Sequence, residues 1–198
     1  MLPGSFCPSS GLNYLYEKLK DDYCIVLVEY NGHYENSTFS SRQNEAKGIV
    51  EYIQKQNIHT IKMIYGQSMG AEIAIELFKQ LEKTNIDVDY CFLDGASCIK
   101  LPYLYKKFMY FKFNQILKMM KKTDVDQILN MKLIKKIARG NIENLRPMIE
   151  PMAVTAQFLS KESVVIHLIF PYLIKKLKTK CISFMEKKKK RIRLVIGV

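Results

Sequence analysis

Tyr65-Gly66-Gln67-Ser68-Met69-Gly70 is the stretch whose reading decides the fold. It follows an apolar, β-rich run at residues 60–65 (TIKMIY) and precedes Ala71, Ala74, Ile75, Phe78 and Leu81, apolar positions at helical spacing. A strand therefore leads into a glycine-bounded bend, and a helix leads out of it. Glycine on both sides of the serine suits a turn so tight that any side chain there would strike the neighbouring strand and helix. Such a turn holds the Ser68 hydroxyl out above the carboxyl edge of a sheet, and the helix that follows aims its N-terminal amides at the same place. The plainer reading is that Gly66 and Gly70 punctuate an ordinary strand-to-helix turn and the serine between them is incidental.

The flanking sequence supplies the rest of a layered domain. Residues 24–30 (CIVLVEY) form a continuous apolar run, as expected of a strand buried on both faces of a parallel sheet, and end in an Asn31-Gly32 turn. Residues 42–56 place Ala46, Ile49, Val50 and Ile53 on one helical face. A further strand, 88–93, closes at Asp94-Gly95. Strand, helix, strand, helix, strand with short links is the signature of an α/β fold with a mostly parallel sheet and flanking helices. From residue 101 to about residue 159 the apolar spacing is helical throughout, with Asp124 as a cap, Gly140 as a stop and Pro147 and Pro151 shaping the last segment. Residues 164–170 (VVIHLIF) regain strand character, and beyond Pro171 the text turns lysine-rich. The expected organisation is a core part at 1–100, a helical insertion at 101–160, a returning strand within 161–174 and a basic tail at 175–198.

Charge is distributed unevenly. The 198 residues carry a formal net charge of +12, and residues 175–198 hold ten cations against the single Glu186, a net +9 that leaves the body at +3. A solvated tail with weak contact to an anionic surface is the expectation; no specific nucleic-acid partner is expected, because the run lacks interleaved aromatics. Cys7, Cys24, Cys91, Cys98 and Cys181 are scattered without a Cys-x-x-Cys pair, which fits reduced, buried thiols. The three histidines do not join them, so neither a metal nor an organic cofactor is expected. No secretory or transit leader and no transmembrane-length apolar run is visible, so a cytoplasmic location is expected.

The Gly66-Gln67-Ser68-Met69-Gly70 pattern in its strand-to-helix setting, with Leu2-Pro3-Gly4-Ser5-Phe6 upstream and a helical insertion downstream, resembles the α/β-hydrolase superfamily over roughly residues 2–170. The resemblance implies a Ser-His-acid hydrolase, acting on a small acyl substrate with Ser68 as nucleophile. It further implies that the backbone N–H groups of Met69 and of Phe6 or Ser5 form the oxyanion hole. Acid and histidine would follow the last two strands, yet residues 171–198 contain no histidine. Asp94, at a strand end, is the remaining acid candidate and otherwise a turn or capping residue. His33, after Asn31-Gly32, is the remaining candidate for a base or a pocket residue. His167 within an apolar run reads as structural, and His59 as surface. With part of the sheet expected to lie before Met1 and the triad region lacking, the chain reads as a fragment or frame-disrupted copy. Its alternative function is that of an inactive, hydrolase-like binding protein.

Overall fold

The structure, a computed structural model, describes residues 1–95, 102–138, 141–161, 163, 181–187 and 190–196. Its centre is a strand-turn-helix unit. β1 (Thr60–Gln67) enters the Ser68 bend and α3 (Met69–Leu81) leaves it. β2 (Asp87–Asp94) lies parallel to β1, from Thr60 beside Asp87 to Gln67 beside Asp94. β3 (Cys181–Lys187) runs parallel to β2, and β4 (Lys190–Ile196) pairs antiparallel with β3. On the other side of β1, Leu2 forms a parallel bridge to Gly66, donating its N–H to Tyr65 O at 2.8 Å and accepting from Gln67 N at 3.0 Å.

Residues 24–30 differ from expectation. They run beside Met1, joined by Val28 N to Met1 O (3.1 Å) and Met1 N to Val26 O (2.6 Å), but form no regular strand. The physical reason is that these two bonds, both to Met1, are the ladder contacts they make among the described residues, too few for a regular strand. The expected strand over residues 164–170 lies outside the described residues, as does Gly140.

The tail reading is corrected in part. Residues 181–187 and 190–196 are strands of the sheet rather than a solvated extension. Ile192, Leu194 and Ile196 alternate in sequence with Arg191, Arg193 and Val195, the two-residue period of a strand, and the lysine content masked that signal.

α2 (Arg42–Lys55) and α3 pack on each other over the sheet. The Ser41 hydroxyl caps α2 by accepting from Asn44 N at 3.1 Å. The main core joins Ala46 and Val50 of α2, Ile73, Leu77 and Phe78 of α3, and Ile64, Cys91 and Leu93 of the strands. A short helix missed at the sequence level, α1 (Asn13–Leu19), follows the first loop. Its signal was present in Leu12, Leu15, Tyr16 and Leu19, apolar at helical spacing.

Among the described residues, four α-helices lie between β2 and β3: α4 (Tyr103–Lys122), α5 (Val125–Asn130), α6 (Lys132–Ala138) and α7 (Arg146–Phe158). Asp124 caps α5 by accepting from Asp126 N, and Pro147 sits in the first turn of α7. These helices build a second core from Leu117, Met120, Ile128, Leu129, Ile149 and Ala156, and one residue of the first loop, Phe6, belongs to it. The thiols fit expectation unevenly. Cys91 is buried and Cys7 half-buried, its thiol pushed up to about 11 by burial, but Cys24 is exposed.

Candidate active site

Ser68 has φ 51° and ψ −114°, a conformation rare for a residue with a side chain. Holding it there costs of order 1–3 kcal/mol, which the surrounding packing must supply. Both glycines are required. A Cβ on Gly66 would lie 2.5 Å from Gly70 O, and one on Gly70 only 2.1 Å from Leu2 O and 2.5 Å from Pro3 O. The bend is thus wedged between its own helix and the first residues of the chain. Its backbone is fixed by Ser68 N donating to Asp94 O at 2.6 Å and by Ala71 N donating to Ser68 O at 3.0 Å. The side chain itself is exposed.

The second oxyanion candidate is held against this bend. Gly4 passes so close that a Cβ on it would sit 3.5 Å from Ser68 Cβ. The loop then turns sharply, with Cys7 N donating to Gly4 O at 3.2 Å and Phe6 in the left-handed region at φ 62°. Phe6 tolerates that strain because its ring is buried and stacked on Phe113 of α4, centroids 5.6 Å apart. Met69 opens α3, so its N–H has no acceptor within the helix.

A platform not anticipated from sequence secures this loop from below. The buried Tyr30 hydroxyl donates to Pro3 O at 3.0 Å, and Glu29 accepts from Ser9 N at 2.8 Å. His33 belongs to that platform. It is buried, edge-on to the Tyr30 ring, with Nδ1 3.7 Å from Glu29 Oε1. Burial pushes the Glu29 carboxyl upward, but the nearby His33 imidazole and the hydrogen bond from Ser9 N outweigh it and hold the group below its usual value.

Asp94 is engaged as well. Its carboxylate accepts from the Tyr65 hydroxyl at 2.9 Å, and Tyr65 in turn lies 3.4 Å from the Tyr14 hydroxyl of α1. Burial and these two partners push the Tyr65 phenol far above its ordinary value, so it donates rather than ionises. Tyr65 opens the quoted motif, but its hydroxyl role is invisible without the fold. His59 is exposed at the opposite edge, where its carbonyl accepts from Asp87 N. His167 lies outside the described residues. Among the described residues no group of three or more His, Cys, Asp or Glu side chains is placed to hold a metal ion.

An apolar cavity of about 170 Å³ lies away from Ser68, at the amino ends of the strands, lined by Leu19, Tyr23, Val26, Ile53, Ile61 and Met63 among others. It belongs to the packing of the sheet and not to this site.

A mostly parallel sheet, a serine on a strained strand-to-helix bend at its carboxyl edge, and a first loop seated over that serine together decide the architecture. The fold is that of the α/β-hydrolases. The chain is similar to an α/β-hydrolase family protein from Desulfitobacterium hafniense, with 18% identity, TM-score 0.64, and 90% of this chain matched to 71% of that one. It is similar to MenH from S. aureus at 15% identity and TM-score 0.60, covering 92% of this chain and 72% of that one. A marine microorganism esterase aligns at 15% identity and TM-score 0.62, over 92% of this chain and 73% of its own. The chain therefore spans a partial α/β-hydrolase fold. No protein-family model matches the sequence, and no curated protein matches it.

Proposed function

We propose that this protein is a serine hydrolase acting on a carboxylic ester or similar acyl substrate, with Ser68 as nucleophile. The observation that carries the reading is the strained, exposed Ser68 at φ 51° and ψ −114° on the strand-to-helix bend. Ser68 Oγ attacks the acyl carbonyl, and the oxyanion accepts hydrogen bonds from Met69 N–H and from the N–H of Ser5 or Phe6. Collapse breaks the acyl–oxygen bond of the ester, the leaving oxygen takes up the proton given up by the Ser68 hydroxyl and departs as the alcohol, and water then cleaves the acyl-serine to the free acid and Ser68. Asp94 is the acid candidate and His33 the base or pocket candidate. An oxyanion hole without a working base retains roughly 10³–10⁴-fold over water.

The burial of His33 between Tyr30 and Glu29, and the Tyr65 hydroxyl on Asp94, favour a second reading: a hydrolase-like protein that binds a small apolar ligand without turnover. A fluorophosphonate probe separates the two. The enzyme reading expects a covalent adduct on the folded protein that Ser68→Ala abolishes, and absence of any adduct overturns it in favour of binding alone.

A further inference from the structure

α4 has two apolar faces. One packs inward through Phe113, Leu117 and Met120. The other, about half a turn away, carries Leu104, Phe108 and Phe111, spaced i, i+4, i+7 and left 78%, 52% and 57% exposed. Leu104, Tyr105 and Phe108, apolar at helical spacing in the sequence, are all exposed, because the helix packs on α7 and α5 through its other face.

The same helix carries Lys106, Lys107, Lys112, Lys118, Lys121 and Lys122 and no acidic residue. Two of these lysines already rest on aromatic faces, Lys107 4.8 Å from the Tyr103 ring centroid and Lys112 5.5 Å from that of Phe108. Tyr103, Tyr105 and Tyr110 are exposed beside them. No helix among the described residues is long and apolar enough to cross a membrane.

We propose that the first half of α4 docks in the plane of an anionic lipid surface, with Leu104, Phe108 and Phe111 inserted among the acyl chains. The lysines then reach lipid phosphates while their stems cover the aromatic edges. The charge decides the occupant. An apolar groove on a protein partner would satisfy the three side chains but would leave the flanking Lys107 and Lys112 needing an acidic rim, whereas an anionic bilayer supplies both media at once. This inference rests on the exposed helix and not on the reactivity of Ser68.

Co-sedimentation of the full chain with phosphatidylcholine vesicles, with and without phosphatidylserine, tests it. Binding is expected only with the anionic lipid. It should weaken by about tenfold or more both in Leu104→Ser/Phe108→Ser/Phe111→Ser and in Lys107→Gln/Lys112→Gln. Ser68→Ala should bind as the parent does, which separates this result from the fate of the hydrolase reading. Circular dichroism establishes that the variants are folded. Undiminished binding by both folded variants overturns the proposal. So does loss of binding on neutralising residues 187–193 alone, or a chain that binds duplex DNA and ignores the vesicles.

Discussion

α3 and α4 are both rich in apolar residues, yet they treat their side chains in opposite ways. α3 buries eleven of its thirteen residues, including Glu72 and Glu76, while α4 buries Leu117 and Met120 and leaves seven large apolar side chains exposed, Leu104, Phe108 and Phe111 among them. Position in the layers explains the difference. α3 lies between the sheet and α2 and is sealed nearly all round, so its carboxylates must find cations: Arg42 Nη2 sits 2.6 Å from Glu72, and Lys79 Nζ 2.7 Å from Glu76. α4 belongs to the outer helical layer and is gripped along one stripe. What a helix buries here follows from where the topology puts it more than from what it is made of.

The sharpest way to break that contrast is at the tight end of α3. Gly70→Ala should cost at least about 3 kcal/mol or prevent folding, since the new methyl meets backbone that cannot swing aside. Urea unfolding checks this, and a variant within about 1 kcal/mol of the parent would mean the bend is looser than described.

Glu72 gives the next effect. Burial raises its carboxyl from 4.5 to about 7, against the lowering pull of Arg42. The folded state therefore holds a proton that the unfolded chain releases. The stability from this group is full below pH 4.5 and is lost as pH rises towards 7, a fall of roughly 3 kcal/mol. Denaturant midpoints measured across that window should decline with pH, and Glu72→Gln should flatten the slope.

The smallest effect belongs to α4. Leu104→Ala should change stability by less than about 0.5 kcal/mol, because its side chain is in solvent before and after folding. A thermal melt that drops clearly would show that this face is covered after all.

Where sequence and structure agree, a strong periodic pattern coincided with a long pairing partner. The strand expected at 60–65 is observed as Thr60–Gln67 and that at 88–93 as Asp87–Asp94, each lengthened by residues beside the bend. The helix expected at 42–56 is observed as Arg42–Lys55. The bend itself was legible because glycine is forced at both ends by backbone contacts. Residues 24–30 are as apolar as any strand, but a ladder depends on its neighbour, and among the described residues they bond to Met1 at Val26 and Val28 alone. Glu29, Tyr30 and Tyr65 were silent for a related reason. Their partners, the Pro3 carbonyl, the Ser9 backbone N–H and the Asp94 carboxylate, are remote in sequence and meet them only once the sheet has formed. Asp94 ends β2 and His33 follows residues 24–30, and their engagement with Tyr65 and Glu29 is a matter of tertiary contact that no spacing encodes.

The contact of Gly70 with Leu2 and Pro3 also makes the opening residues a keystone. While those carbonyls stay seated against the start of α3, Ser68 has no room to relax into ordinary helix. Pulling the first three residues away would release the bend, so the posture of the serine is governed by a segment more than sixty positions upstream of it.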